Sequence, residues 1–266
     1  MHILDKIVAH KKIEVQRNKE QCPISTLEQS DYYSRECISF SGYIKDKNRS
    51  GIISEFKRRS PSKPTINLQA DPSIIPNQYC DAGVSGISIL TDEYFFGGNA
   101  YHLSMARPKV NCPILRKDFI IDEYQIIEAK SIGADAILLI TEILSKEEIA
   151  NLATIAASLG LEVLMEIHTK EQIDKYHPTV NAIGINNRDL TTFTVDPNHS
   201  ISLYPYLPKE VCKISESGIH DIQTMIKLRE AGFDGFLIGE RFMKTDDPGL
   251  ACKSFIEEYK SALNAL

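Results

Sequence analysis

The sequence predicts an α/β protein in which eight parallel strands close into a barrel behind an amino-terminal helical extension. The first supporting observation is that five apolar runs end in a charged or polar residue, where a buried strand would normally end in a turn residue. Burying a charge is costly unless it is paired or used. In parallel barrels the carboxyl ends of the strands form the active-site face. The five runs span 52–57, 113–117, 161–166, 181–186 and 211–216.

A recurring glycine pattern indicates that helices and strands alternate. A helix-like stretch ends in glycine and an apolar run follows, at Gly83, Gly133, Gly160 and Gly232. Glycine just past a helix supplies the left-handed cap, and the gaps are close to multiples of about 25 residues, a plausible strand-plus-helix repeat. Eight strands can be counted, near residues 52–57, 86–90, 113–117, 135–140, 161–166, 181–186, 211–215 and 234–239. This count favours a single closed (β/α)8 TIM barrel over an open sheet.

The length of 266 residues fits one such barrel with an extension, since a barrel takes roughly 250 residues. We assign residues 1–48 to the extension and residues 49–266 to the catalytic barrel. Residues 3–19 carry apolar side chains at helical spacing and predict an amphipathic helix. Such a helix either packs on the barrel or forms a lid or floor near the substrate, and the sequence leaves both open.

Composition excludes several classes of protein. A net charge of −6 with 42% hydrophobic residues indicates a globular chain with a full core, and it excludes a general nucleic-acid or membrane surface. No apolar run approaches the roughly 18 residues that span a bilayer, and the amino terminus lacks a signal-peptide core. The six cysteines and seven histidines show no metal-ligand spacing. We therefore expect reduced thiols, no metal and a cytoplasmic protein, which we predict to be a monomer because no apolar patch is obvious.

Three charged residues at strand ends are candidates for catalysis. Glu55 and Lys57 are two apart on a strand, so they point to the same side, where they could hold an anionic substrate or form a structural ion pair. Lys117 ends the third strand. A partly buried lysine with cationic neighbours has a lowered pKa and can act as an acid near neutral pH. The alternative for Lys117 is a side chain that reaches solvent.

Two later strands end in groups that suit acid/base work and polar recognition. Glu166 follows apolar residues, which makes it a candidate base or acid, or the partner of a barrel lysine. Asn186 and Arg188 offer an amide and a forked cation, which suit a sugar hydroxyl and a carboxylate. Arg188 could instead pair with Asp189 in the loop.

The last two strands end in motifs that favour a phosphate. Ser217 and Gly218 follow strand seven, and Gly239 and Glu240 follow strand eight. Small residues let backbone amides approach an anion, and barrels often bind phosphate at these two loops. Ser60, in the loop after strand one, could add a contact. No nucleotide-binding glycine motif occurs in the sequence.

Taken together, these segments resemble the indole-3-glycerol phosphate synthase family. The most specific motifs are Glu-x-Lys-x-x-Ser-Pro-Ser and Leu-Arg-Lys-Asp-Phe, and the likeness spans nearly the whole chain. The resemblance implies that 1-(2-carboxyphenylamino)-1-deoxyribulose 5-phosphate is closed to indole-3-glycerol phosphate with loss of carbon dioxide and water, without a cofactor. The segments that carry it are 53–62, 88–98, 113–120, 164–166, 184–190, 215–219 and 237–240.

The resemblance also implies roles for residues. Lys117 would protonate the ketose carbonyl during ring closure, Glu166 would serve the later acid/base steps, and Lys57 would contact the substrate carboxylate. The full implied catalytic set is Lys117, Glu166, Lys57, Glu55, Asn186 and Glu216. The implied phosphate contacts are Ser60, Ser217, Gly218, Gly239 and Glu240, the walls of the aromatic ring are Phe96, Phe119, Leu190 and Leu237, and Arg188 lies near the anthranilate side.

Three other functions stay open on the sequence. Another sugar-phosphate barrel, such as phosphoribosylanthranilate isomerase, needs an acid/base pair but no extra lysines for a carboxylate, so Lys57 and Lys117 argue against it. A Schiff-base aldolase would use Lys117 as its nucleophile. A catalytically inactive barrel acting as a scaffold would not need the complete charged set at the strand ends.

Overall fold

The computed structural model describes residues 3–189 and 194–265. Eight parallel strands pair in sequence order, and β8 pairs with β1, so the predicted closed barrel is confirmed. The strands are β1 Ile52–Phe56, β2 Gly86–Leu90, β3 Ile114–Lys117, β4 Ala136–Ile140, β5 Glu162–Ile167, β6 Ala182–Asn186, β7 Cys212–Glu216 and β8 Gly235–Ile238.

Three helices precede the barrel and the others connect or follow its strands. The α-helices are α1 Ile3–Gln21, α2 Ile24–Leu27, α3 Phe40–Lys45, α4 Ile75–Asp81, α5 Ala100–Ala106, α6 Glu123–Ser131, α7 Lys146–Ser158, α8 Asn198–Leu203, α9 Ile222–Glu230, α10 Glu240–Met243 and α11 Pro248–Leu263. Short 3-10 helices cover Arg107–Lys109, Glu171–Lys175 and Tyr204–Tyr206. Within the described ranges, none of these helices is long and apolar enough to span a bilayer.

Local sequence explains where the outer helices begin and end. Ser145 and Glu148 form a reciprocal capping box at the start of α7, which satisfies amides that have no partner inside the helix. Asp122, Asp221 and Asp247 cap α6, α9 and α11 more simply, each by accepting a hydrogen bond from a backbone amide of the first turn. The four glycines predicted to follow helices, Gly83, Gly133, Gly160 and Gly232, all have positive φ. The glycine repeat therefore marks helix ends, as the sequence predicted.

The strands contribute side chains to two apolar clusters, because successive side chains point alternately to the outside and the inside of the barrel. Outward residues pack against the helices, whereas inward residues such as Leu115 and Ile214 fill the barrel. The extension closes this interior at both ends. Phe40 and Ile44 of α3 lie against the first residues of β2 and β8, and Ile7 of α1 joins the same cluster from the carboxyl end. The helix predicted over 3–19 thus packs on the barrel and also reaches its active-site face.

The amino end of the barrel depends on one buried carboxylate. Asp135 is fully buried, and its Oδ2 accepts hydrogen bonds from Arg107 Nη1 at 2.6 Å and from the Ile114 amide at 2.8 Å. Its Oδ1 accepts from Arg35 Nη2 at 2.7 Å and from the Ile38 amide at 2.8 Å. Asp135 therefore ties the extension to the start of β3.

Asp135→Asn should lower the free energy of unfolding by about 3 kcal/mol, because it leaves a buried guanidinium without its carboxylate. Asp46→Asn is the matched control, since Asp46 and Arg49 form an exposed pair at 3.4 Å, and such pairs contribute less than about 1 kcal/mol. Urea unfolding followed by circular dichroism measures both. Equal losses in the two variants would contradict this account of Asp135.

Candidate active site

One layer of the barrel interior is charged. Glu55, Lys117, Glu166 and Glu216 lie at or near the carboxyl ends of β1, β3, β5 and β7. In such barrels each layer of inward side chains comes from alternate strands, which explains why four residues far apart in sequence meet. The residues two positions earlier on the same strands are buried and apolar: Ile53, Leu115, Leu164 and Ile214. The charged layer thus rests on a dry layer that keeps water out from below.

Lys117 lies at the centre of the charged layer. Its Nζ is 2.9 Å from Glu216 Oε2, and 3.7 Å from both Glu55 Oε2 and Glu166 Oε2. Lys57 Nζ is 2.5 Å from the other oxygen of Glu55. The ion pair that the sequence allowed for Glu55 and Lys57 is therefore present, and both residues line the cavity above it. Their contact with an anionic substrate stays a prediction.

The expectation that cationic neighbours lower the pKa of Lys117 is wrong. Burial does lower the pKa, but Glu216, Glu55 and Glu166 together outweigh it, so the pKa of Lys117 lies well above its usual value. The side chain is only 15% exposed, so it does not reach into solvent either. The cation beside it in sequence, Arg116, points outward, as predicted, to Glu128 and Asp118. Spatial neighbours rather than sequence neighbours therefore decide the charge state of Lys117.

The carboxylates of the layer differ in proton affinity. The pKa of Glu216 is raised to about 7. Burial is the largest cause, the attraction of Lys117 opposes it, and the charges of Glu166 and Glu55 add to it. Burial also raises the pKa of Glu55, but Lys57 and Lys117 outweigh it and the net pKa is lowered. Glu216 is thus the carboxyl that changes its charge near neutral pH.

Glu216 fits only because β6 carries a glycine opposite it. A Cβ atom at Gly184 would collide with Glu216 Oε1. That oxygen is buried and has no hydrogen-bond partner among the described residues, which agrees with a carboxyl group that holds a proton easily. The sequence analysis read Gly184 only as part of a strand. Its role could have been found by pairing β6 with β7.

Asn186 orients Glu166. Its Nδ2 donates to Glu166 Oε1 at 3.3 Å, and its Oδ1 accepts from the Arg188 amide at 3.0 Å. Its carbonyl oxygen lies 2.8 Å from Nδ1 of His168, so that nitrogen carries the hydrogen. His168 lies in the loop just after β5, and this hydrogen bond joins that loop to the end of β6.

An apolar wall stands beside the charged layer. The ring centroids of Phe96 and Phe119 are 5.8 Å apart, and Leu237 lines the same cavity from β8. These three residues were predicted from the sequence, whereas Leu4 and Ile7 of α1, which also line the cavity, were not. Their helical spacing on the apolar face was the available signal. Leu190, the fourth predicted wall residue, lies outside the described residues.

The predicted phosphate loops flank the cavity. Ser60, Ser217 and Glu240 line it, whereas Gly218 and Gly239 lie next to lining residues without lining it themselves. Ser217 and Gly218 both have positive φ, 68° and 77°, so their consecutive amides form a concave turn of the kind that binds anions. Gly239 precedes α10, and a Cβ there would lie 2.9 Å from Glu55.

Basic residues hold the loop after β1 over the cavity. Lys63 forms an ion pair with Glu240, and Arg59 donates to the carbonyl oxygens of Glu93 and Tyr94 at 3.0 and 2.8 Å. Arg59 thereby joins the β1 loop to the β2 loop. The cavity of about 170 Å³ adjoins a larger one of about 700 Å³ that also borders Arg188.

The profile of the indole-3-glycerol phosphate synthase family matches residues 4–255 of this chain. The chain belongs to the indole-3-glycerol phosphate synthase family. The family match therefore covers nearly all of α1 and all eight strands, including those that carry the charged layer.

Curated relatives agree with this membership. An indole-3-glycerol phosphate synthase of Bacteroides thetaiotaomicron is 47% identical and covers 96% of this chain and 98% of its own length. Another from Salinibacter ruber is 40% identical and covers 98% and 97%.

Similarity to solved structures extends to more distant barrels. A 3-hexulose-6-phosphate synthase from Salmonella typhimurium matches with a TM-score of 0.63 at 11% identity, over 79% of this chain and 98% of that one. Tryptophan synthase subunit alpha from Legionella pneumophila gives 0.61 at 12% identity, over 85% and 97%. At these identities the likeness shows the barrel fold alone.

The raised pKa of Glu216 predicts how stability changes with pH. The folded protein binds this proton more tightly than the unfolded chain, whose carboxyl has a pKa of 4.5. The stabilisation is therefore complete below that value and is lost as pH rises through about 7. Glu216→Gln cannot ionise, so relative to the unmodified protein it should gain about 2 kcal/mol between about pH 5 and about pH 8.

Urea unfolding at both pH values tests this prediction. Glu257→Gln, at an exposed carboxyl of α11, is the matched control and should track the unmodified protein. If the Glu216→Gln and Glu257→Gln curves shift equally with pH, Glu216 does not titrate as described.

Proposed function

We propose that this protein converts 1-(2-carboxyphenylamino)-1-deoxyribulose 5-phosphate into indole-3-glycerol phosphate, carbon dioxide and water, with the catalytic groups of the charged layer. The observation that carries the proposal is the Lys117 ammonium held among three carboxylates directly beside an aromatic wall. Closing an aryl ring onto a ketone needs a proton donor at the ketone oxygen and an apolar surface that orients the ring. Family membership supports the same reaction.

Ring closure is the step that we assign to Lys117. The ring carbon that bears the carboxylate attacks the ketose carbonyl, and negative charge develops on the carbonyl oxygen. A fixed ammonium stabilises that charge and then supplies the proton. The three carboxylates keep Lys117 protonated before substrate binds, since they raise its pKa. The free protein therefore holds the acid in the form that the first step requires.

Glu216 makes this strongly held proton easier to transfer. It is the nearest carboxylate to Lys117, at 2.9 Å, and its own pKa of about 7 allows it to take a proton near neutral pH. Protonation of Glu216 removes the largest attraction on the Lys117 ammonium and lowers the lysine pKa. We therefore assign Glu216 the electrostatic control of the acid.

The later steps need a base and a second acid. Loss of carbon dioxide restores the aromatic ring. Dehydration then breaks the bond to the new hydroxyl group and removes a proton from the neighbouring methylene carbon. We assign the proton transfers to Glu166, oriented by Asn186, and the substrate carboxylate and the dehydration proton to Lys57, which Glu55 holds at 2.5 Å.

Substrate binding divides among three regions of the cavity. The phosphate is assigned to Ser60 and to the loops after β7 and β8, and the aromatic ring to the wall of Phe96, Phe119 and Leu237. Arg188 is assigned to the anthranilate side, where it lines both cavities. The proposal includes a monomer that acts in the cytoplasm on a small substrate with two anionic groups.

The charge state of Lys117 disfavours a Schiff-base aldolase. A lysine nucleophile must lose its proton before it attacks a carbonyl group, and the carboxylates around Lys117 oppose that loss. Treatment with borohydride and a ketose phosphate separates the two reactions. A covalent adduct at Lys117 would support the aldolase and exclude the role that we assign.

Lys117→Met should lower turnover by about a thousandfold while the fold is kept, because ring closure loses its acid. Formation of the indole product is followed by its fluorescence, and the background is low because the chain has no tryptophan. Lys213→Met is the matched control. Lys213 is also buried, but its Nζ donates to the carbonyl oxygens of Lys209 and Val211 at the amino end of β7.

The outcomes of this assay are distinct. Product formation by the unmodified protein and by Lys213→Met, but not by Lys117→Met, is the expected result. Near-normal turnover by Lys117→Met would overturn the role of Lys117. If the folded, unmodified protein forms no indole, the proposed reaction itself is wrong.

A further inference from the structure

A fully buried lysine of the extension lies behind the aromatic wall. Lys11 of α1 is 0% exposed. Its Nζ is 2.8 Å from Glu14 of the same helix, 3.0 Å from Asp92 Oδ2 and 2.9 Å from Asp118 Oδ1. Asp92 follows β2 and Asp118 follows β3. One ammonium group thus joins the helix to the ends of two strands.

Both aspartates hold the backbone that carries the wall. Asp92 Oδ1 accepts hydrogen bonds from the amides of Phe95 and Phe96 at 2.8 and 3.1 Å. Asp118 Oδ1 accepts from the amide of Phe119 at 2.8 Å. The two rings that form the wall, Phe96 and Phe119, are therefore fixed by the two carboxylates that Lys11 pairs with.

The same helix contributes part of the cavity lining. Leu4 and Ile7 line it, and Ile7 packs in the apolar cluster that contains Phe119 and Leu237. Lys11 is one helical turn beyond Ile7, so its position sets how close the apolar face of α1 comes to the rings. Lys11 itself is absent from the residues that line either cavity over the described ranges.

The carboxylates of Asp92 and Asp118 require a nearby cation. Asp92 and Asp118 are both buried, and buried carboxylates are strongly unfavourable without a cation. Burial raises the pKa of Asp118, yet Lys11 and Arg116 lower it to about 2. Asp118 has Arg116 as a second cation at 3.3 Å, whereas Asp92 forms its ion pair among the described residues with Lys11. The Asp92 carboxylate therefore depends on Lys11 for its counter-charge.

We infer that Lys11 is a positioning residue that assembles the binding surface for the aromatic ring of the substrate from α1 and the loops after β2 and β3. It acts through Asp92 and Asp118 and touches no reacting atom. This inference rests on the proposed function, because it presumes that the ring binds between α1 and the two phenylalanines. The hydrogen bond and ion pairs of Lys11 with described residues go to Glu14, Asp92 and Asp118, not to the loops after β7 and β8, so we expect phosphate binding to be independent of it.

The test compares Lys11→Met with Lys19→Met. Both remove a lysine of α1 that pairs with a barrel aspartate. Lys19 pairs with Asp122 at 2.8 Å, where the two side chains are 37% and 30% exposed, and Asp122 caps α6 and does not line the cavity. We expect Lys11→Met to raise KM about tenfold and to change kcat less than about threefold, since ring placement is lost and the charged layer is kept. Lys19→Met should leave both constants unchanged.

Competitive inhibitors locate the defect. The product, indole-3-glycerol phosphate, carries the ring, whereas glycerol 3-phosphate lacks it. In Lys11→Met the inhibition constant of the product should rise about tenfold and that of glycerol 3-phosphate should stay the same. Equal weakening of both inhibitors would mean general loosening of the site and would overturn the inference.

A charge-balanced variant keeps the test valid if Lys11→Met folds poorly. Lys11→Met/Asp92→Asn removes one charge of each sign, and the asparagine oxygen can still accept from the Phe95 and Phe96 amides. We expect this variant to recover thermal stability but not KM, because the link between helix and loop stays broken. Recovery of KM together with stability would show that Lys11 only balances charge. If the unmodified protein is active and KM is unchanged in Lys11→Met and in Lys11→Met/Asp92→Asn, the inference is rejected and the proposed reaction stands. If the unmodified protein is inactive, the proposed reaction is rejected.

Discussion

Electrostatic balance in one layer of the barrel imposes the main requirements on this structure. Three carboxylates and one ammonium meet inside a protein, where charges without partners are strongly unfavourable. Lys57 adds a second positive charge at Glu55, and the apolar layer below excludes water. Gly184 leaves the room that Glu216 needs. Each of these features follows from placing charge where the closed barrel would otherwise place leucine or isoleucine.

The two ends of the barrel satisfy the same electrostatic rule for different purposes. At the amino end Asp135 has a full set of donors and serves stability. At the carboxyl end Glu216 keeps one oxygen without a hydrogen-bond partner in the described part of the chain, and its charge can change near neutral pH. A carboxylate whose two oxygens both accept hydrogen bonds stabilises the fold, whereas a carboxylate with an unpaired oxygen can exchange a proton. The extension contributes to both ends, through Arg35 at one and Lys11 at the other.

Much of the architecture could be predicted from sequence because strands alternate their side chains with a period of two. An inward polar residue at the end of an apolar run is visible in one dimension, and so Glu55, Lys117, Glu166 and Glu216 could be named. The pKa of Lys117 could not, since it depends on residues from three other strands. Lys11 was also missed, because a lysine on an amphipathic helix is normally solvated. The boundary between residues 48 and 49 and the role of Leu190 stay predictions.

The ion pairs of α1 connect parts of the chain that are made at different times. Lys19 and Asp122 are 103 residues apart in sequence. Lys11 likewise can form its ion pairs only once the ends of β2 and β3 are in place. Contacts that close such long loops form late, because the chain entropy must be lost before they contribute. The helix is synthesised first but can dock only after three strands exist. The substrate-ring surface therefore forms only after the ends of β2 and β3, so a refolding chain cannot regain its affinity for the substrate before those two strands have paired.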